Sequence, residues 1–212
     1  MLLAWRSNQD PSQFPISLDA DSETTRTRIM KIQYRRELWR LFDGSHSLRI
    51  AEIGVAEGRH AEEIMLNWPF AIEKIYLVDR WKSVPDQKGD ASQNEDWHSH
   101  NLLDSMVRMG PWIDESVFLQ GDSEDMAGKV DNGSLDFVYI DADHSFMGCQ
   151  KDINAWFPKL KPGGYMAFHD FENLAYGVKA AVHAFCGPKG YTIRLIPEDK
   201  AEDAGAYFQK PC

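Results

Sequence analysis

The sequence predicts an α/β fold: a doubly wound, mostly parallel sheet of seven strands, with an antiparallel hairpin at one edge and an added N-terminal helix. Three observations carry that prediction. Short apolar runs of strand length alternate with stretches of helical spacing, the pattern of a parallel sheet covered on both faces. The first run ends in a glycine-bearing turn that leads into a helix. The chain has 212 residues, 43% hydrophobic and 26% charged, which suits one domain with a sizeable core and is too apolar for a disordered chain. We expect a single domain over 1–212, with an arm and helix over 1–45 and the core over 46–212.

Residues 1–21 hold two prolines and few regularly spaced apolar residues, and read as an extended arm. From Ser22 to Phe42 the spacing turns helical, with Tyr34, Leu38, Leu41 and Phe42 at i, i+4, i+7 and i+8 and Gly44 as a stop signal. Leu48–Val55, Ile75–Val78, Val117–Gln120, Leu135–Ile140 and Tyr165–Phe168 read as buried strands. The clearest helix is Phe146–Trp156, which places Phe146, Cys149, Ile153 and Trp156 on one face. Tyr191–Ile196 and Ala204–Gln209 have no clear helix between them and predict the hairpin. The polar interval Lys82–Trp97, with Pro85 and Gly89, is long for a strand-to-helix connection. In such a sheet it falls at the carboxyl ends of the strands, where ligands bind, so it reads as a lid or as a surface insertion.

Charge and cysteine usage narrow the function. With 23 Lys+Arg against 33 Asp+Glu the net charge is −10, the wrong sign for nucleic acid or anionic lipid. No stretch approaches the roughly 18 apolar residues of a membrane span, and Met1–Trp5 is too short for the apolar region of a signal peptide. Cys149, Cys186 and Cys212 form no C-x-x-C, which argues against a disulfide framework or a zinc site. A soluble cytoplasmic protein is expected, with a small-molecule or glycan partner, neither nucleic acid nor membrane, and a homodimer left open.

The first strand runs into Glu52-Ile53-Gly54-Val55-Ala56-Glu57-Gly58 at a helix start. Glycine lets backbone approach a ligand closely, yet Glu57 in the turn would repel a dinucleotide pyrophosphate. Glu52 instead suits a positive amino group, such as that of S-adenosylmethionine. Asp79, 21 positions beyond Gly58, stands where an acid accepts ribose hydroxyls, a ribose that NAD shares; a capping or loop role is the alternative. Gly121-Asp122-Ser123 is placed to meet an adenine edge. Arg80, Trp81 and Asp141 complete the expected cofactor-binding set, with Trp81 either stacking on a ligand or packing.

From about Leu48 to Phe171 the chain resembles the class I S-adenosylmethionine-dependent methyltransferases. The most specific segments are Leu135-Asp136-Phe137-Val138-Tyr139-Ile140-Asp141-Ala142-Asp143-His144-Ser145-Phe146, Trp156-Phe157-Pro158-Lys159-Leu160-Lys161-Pro162-Gly163-Gly164 and Phe168-His169-Asp170-Phe171. They are similar to the macrocin-type sugar and small-molecule O-methyltransferases. The resemblance implies a Rossmann-like core, cofactor contacts at Glu52, Gly54, Gly58, Asp79, Asp122 and Ser123, and an acceptor enclosed by the loop after Asp79. Three departures stand out: Ala56 at a position often glycine, His60 where serine or threonine is frequent, and His169-Asp170 in place of two adjacent acids.

Asp141 follows the fourth strand and His169-Asp170 the fifth, so all three project from one sheet edge. Two carboxylates and an imidazole suit Mg²⁺ or Mn²⁺, the imidazole favouring Mn²⁺. A divalent cation stabilises the alkoxide of an aliphatic hydroxyl. His144 and Asp143 are the candidates for removing its proton, His144 with an unperturbed pKa of about 6.5. The structural alternative for Asp143 and His144 is a cap for the helix near Phe146, and for His169 and Asp170 a hydrogen-bonded turn without metal. His98 and His100 either face the acceptor or start a solvated helix, and Tyr139, Trp156 and Phe157 read as core. The expected reaction is O-methylation of a sugar hydroxyl. A catechol or phenol methyltransferase, an NAD-dependent oxidoreductase and a non-catalytic binding module are its rivals.

Overall fold

The computed structural model describes residues 32–84, 92–200 and 203–212. Its sheet contains β1 (Leu48–Ile53), β2 (Ile72–Asp79), β3 (Ser116–Gln120), β4 (Leu135–Ile140), β5 (Leu160–Phe168), β6 (Arg194–Ile196) and β7 (Gly205–Gln209), in the order β3-β2-β1-β4-β5-β7-β6. β1 to β5 are parallel, and β7 runs antiparallel to both β5 and β6. Because β1 pairs with both β2 and β4, the order reverses there, and a crevice opens at the carboxyl ends of those strands.

Alternation along the strands divides the core in two. On one face Val138, Ile140, Met166, Phe168 and Phe208 pack against α4 (Phe146–Trp156) and α5 (Val178–Cys186) through Cys149, Ile153, Trp156, Val182 and Phe185. On the other, Ile50, Ile75, Leu77, Phe137 and Tyr139 meet α1 (Arg59–Asn67), Leu38, Trp68 and Met109 at the end of α2 (Glu95–Met109). Each fully buried large apolar side chain contributes about 1.5–3 kcal/mol, so both helix layers are anchored by a few residues apiece. The short α3 (Ser123–Ala127) follows β3.

Three expectations change. The arm over 1–21 and the first ten positions of the Ser22–Phe42 helix lie outside the described residues. The remainder is a 3₁₀ helix, Arg35–Leu41, because the Glu37 carboxylate accepts the N–H groups of Gln33 and Tyr34 (2.8 and 3.2 Å) and holds Tyr34 extended at the start. β5 begins at Leu160, earlier than expected; its register with β4 shifts between Leu135 and Phe137, absorbing Pro162, Gly163 and Gly164 as an irregularity. The hairpin stands at the sheet edge as expected, with β7 paired to β5 and β6 outermost. The Lys82–Trp97 interval already turns helical at Glu95, where the Asn94 side chain caps α2 by accepting the Trp97 N–H (2.9 Å); residues 85–91 lie outside the described set. Among the described residues no helix is long and apolar enough to cross a membrane, and the three cysteines are free.

Candidate active site

Gly54 ends β1 at φ +88°, and a Cβ there would stand 1.9 Å from the Asp141 carbonyl oxygen at the end of β4. Only glycine permits the two strand ends to approach so closely. The turn that follows is wound around Asp79: Oδ2 accepts the N–H groups of Val55 and Ala56 (2.9 Å each), and Oδ1 accepts that of Trp81 (2.8 Å). Three of about four lone-pair sites are thus used, leaving one on Oδ1 for a ribose hydroxyl. Ala56 and Trp81 adopt φ +47° and +42°, strained for non-glycine residues, and are clasped by the Trp81 Nε1–H bond to the Ala56 carbonyl (2.8 Å). Trp81 is therefore a packing residue, buried against Phe118 rather than stacked on a ligand.

Arg80 and Asp122 pair across the mouth of a cleft that Lys82, Ser83, Val84 and Gly121 also line. Ser123 does not turn its hydroxyl toward that cleft. Its Oγ accepts from Trp156 Nε1 (2.8 Å) and hydrogen-bonds Asp152, because those two buried polar groups on α4 have to be satisfied.

Glu52 is buried, 3.4 Å from His60 Nδ1 through Oε1, while its Oε2 has no hydrogen-bond partner among the described residues. Burial raises its carboxyl above the usual range, only partly offset by His60. Opposite it on β4, Tyr139 is buried as expected, and its hydroxyl interacts with the Arg35 guanidinium from the N-terminal 3₁₀ helix. Arg35 was not legible in the sequence, since nothing local ties it to β4.

Four groups converge at the ends of β4 and β5. His144 Nε2 lies 3.1 Å from Asp141 Oδ1 and 3.2 Å from Asp170 Oδ2; His169 Nδ1 lies 3.0 Å from Asp170 Oδ2 and 3.6 Å from Asp141 Oδ1. Asp170 reaches inward on a backbone at φ +52°. Burial alone would raise the Asp141 carboxyl, but the His144 hydrogen bond and the His169 charge lower it. Both imidazoles move the other way: burial disfavours their charge, and the neighbouring carboxylates more than restore it. Asp141, His144 and Asp170 each offer a ligand atom within 4.8 Å of the others, a group that could hold an ion and that includes His144 where His169 was the candidate.

Asp143 does not join this cluster. Its Oδ1 accepts the Ser145 N–H (2.9 Å), its carboxyl packs over Gly148, and Ser145 caps α4 by accepting the Gly148 N–H (3.0 Å). Asp143 is a turn residue, and the cap of α4 that it was the candidate for is supplied by Ser145. Tyr176 stacks on His144 (ring centroids 4.6 Å, 14°), a contact with no sequence signal because the two belong to separate connections. His100 starts a solvated helix turn, whereas His98 is buried with Asn101 and Ser105 on the inner face of α2.

A reversed parallel sheet, a glycine turn held by an acid at the end of β2 and an ionisable cluster beyond β4 and β5 define an α/β enzyme with an adenosine-type cofactor. Residues 51–171 match a methyltransferase domain family, and the chain belongs to it: the protein is an S-adenosylmethionine-dependent methyltransferase. The dinucleotide oxidoreductase alternative falls with that match. No curated protein matches the chain closely enough to count as a relative. Among solved structures, it is similar to the calicheamicin methyltransferase CalS11 (20% identity, TM-score 0.57, 82% of this chain and 74% of that one). It is also similar to the O-methyltransferase NovP (18%, 0.58, 84% and 78%) and to the N-methyltransferase NodS from Bradyrhizobium japonicum WM9 (16%, 0.55, 83% and 93%). Likenesses at this identity establish the fold.

Proposed function

We propose that the protein methylates a hydroxyl oxygen of a sugar, glycan or sugar-bearing small molecule, assisted by a divalent cation. One observation carries the reading: the Asp141, His144, His169, Asp170 cluster stands beside the cofactor turn, joined to it where Asp141 meets Gly54. A hydroxyl needs its proton removed before it attacks a sulfonium methyl, and such a cluster supplies that chemistry. CalS11, described as a TDP-rhamnose 3'-O-methyltransferase, supports the sugar acceptor. A catechol or phenol acceptor is the second reading, supported by the same donor set.

The residues present fit both absent groups. The orphaned Glu52 Oε2 is a ready acceptor for the ammonium of S-adenosylmethionine, which supplies the activated methyl. Two carboxylate oxygens and an imidazole nitrogen suit Mg²⁺ or Mn²⁺, which lowers the pKa of a coordinated hydroxyl. Asp141, His144 and Asp170 would hold the cation. His169, whose Nδ1 has no well-aligned hydrogen bond despite its proximity to Asp170, would take the hydroxyl proton. Asp79 holds the turn and would accept the ribose hydroxyls, and Tyr176 keeps the His144 ring in place. Its free thiols also support a cytoplasmic setting.

The test is release of S-adenosylhomocysteine from S-adenosylmethionine with Mn²⁺ and a panel of nucleotide sugars, free sugars and catechols, alongside calorimetric Mn²⁺ titration. Asp141→Asn is expected to abolish cation binding and His144→Ala to weaken it at least tenfold. His169→Ala is expected to keep cation binding and lose about 10²- to 10⁴-fold in turnover. Wild-type protein that binds neither S-adenosylhomocysteine nor Mn²⁺ would sink the proposal, and turnover indifferent to His169 would remove its role.

A further inference from the structure

We propose that Arg35, in the N-terminal 3₁₀ helix, binds the carboxylate at the amino-acid end of S-adenosylmethionine, whose ammonium Glu52 would take. The inference rests on the cofactor reading above and assigns a residue that precedes the matched domain at 51–171.

The position of Arg35 is fixed from both sides. Leu38, one turn on, is fully buried in the core under α1, and the Arg35 backbone N–H donates to Glu198 Oε1 (2.5 Å). The side chain, half-buried, reaches the Tyr139 hydroxyl on β4 and feels the charges of Glu63 and Asp141. Among the described residues no carboxylate lies within 4.0 Å of its guanidinium. Tyr139 does not neutralise it, because burial keeps that phenol protonated far above neutral pH. A guanidinium has five N–H donors in a planar fork matched to a carboxylate. A half-buried one lacking a counter-ion is a costly arrangement unless a ligand completes it.

Glu52 is the complementary defect. It pairs in register with Tyr139 across β1 and β4, and its buried Oε2 has no hydrogen-bond partner among the described residues. Arg35, with no carboxylate in salt-bridge contact among the described residues, thus lies close enough for its charge to act on Glu52, at the strand ends where the order of the sheet reverses. The amino-acid end of S-adenosylmethionine carries an ammonium and a carboxylate on one carbon. Placed between Glu52 and Arg35, it satisfies both, whereas an adenosine lacking that end satisfies neither.

The experiment is calorimetry with commercially available probes. In wild-type protein, S-adenosylhomocysteine and its decarboxylated analogue are compared; the analogue is expected to bind about 10- to 100-fold more weakly. In Arg35→Met, S-adenosylhomocysteine should weaken by a similar factor while 5′-methylthioadenosine, which lacks the amino-acid end, stays within twofold of wild type. Arg35→Lys, a point charge without the fork, should fall between. Equal binding of the two analogues by wild type overturns the proposal whether or not the variants fold. So does an Arg35→Met protein that melts like wild type and binds S-adenosylhomocysteine unchanged, or that loses both ligands equally. Failure of wild type to bind any of these adenosyl probes would instead overturn the cofactor reading, and this inference with it.

Discussion

Asp152 should destabilise the protein near neutral pH, and replacing it should reveal by how much. It lies on the inner face of α4, 4% exposed, hydrogen-bonded to Ser123. Burial first, then the charges of Asp143 and Glu124, push its carboxyl from 3.8 up to about 6; the Ser123 hydrogen bond and Arg80 pull the other way without prevailing. The folded state therefore holds this proton more tightly than the unfolded chain, so stability declines as pH rises from 3.8 through about 6. Integrating that linkage, the penalty is about 2 kcal/mol at pH 5 and about 3 kcal/mol at pH 8. Asp152→Asn removes the ionisation at a pH-independent cost of about 1 kcal/mol for its added N–H donors. The stability gain over wild type should thus grow by about 1 kcal/mol between pH 5 and pH 8. For a chain of this size that widens the melting-temperature difference by about 2–4 °C. Circular dichroism melts of both proteins at the two pH values measure it, and the double difference cancels every other titrating group. A gap that stays constant with pH would refute the reasoning.

Two further expectations concern the cofactor turn. Gly54→Ala forces a Cβ onto the Asp141 carbonyl at φ +88°, so it should lower the melting temperature severely and eliminate S-adenosylhomocysteine binding in whatever folds; near-native calorimetry would contradict the close approach of β1 and β4. Ala56→Gly relieves a left-handed backbone worth about 1–2 kcal/mol against about 0.4–1 kcal/mol of added chain entropy. Its melting temperature should stay level or rise by about 2–4 °C. A clear fall would show that Ala56 is not strained.

Much of the fold is legible locally. β4 was read to the residue because Leu135–Ile140 is buried at every position, and a strand covered on both faces is a continuous apolar run. Gly54, Asp79, Asp141 and Asp170 were legible because each directly ends or follows such a strand, and chain position alone sets them at one edge. The limits appear where two candidates share a segment. Asp143 and His144 are neighbours, yet the first is held by the Ser145 N–H and the second reaches Asp170, and no pattern in the sequence separates them. Ser123 was read as facing the cofactor, but the polar groups of Trp156 and Asp152, far along the chain, claim its hydroxyl.

By itself, then, the sequence determined the strand and helix segments, the glycine turn and the acids at the carboxyl edge, because these follow from hydrophobic period, backbone freedom and order along the chain. Only the tertiary structure decided that Arg35 meets Tyr139, that Tyr176 covers His144, that Trp81 packs inward and that β7 slides between β5 and β6. Those outcomes rest on contacts between residues distant in sequence, where burial, charge and the need to pair every polar group choose among partners that local spacing leaves equivalent.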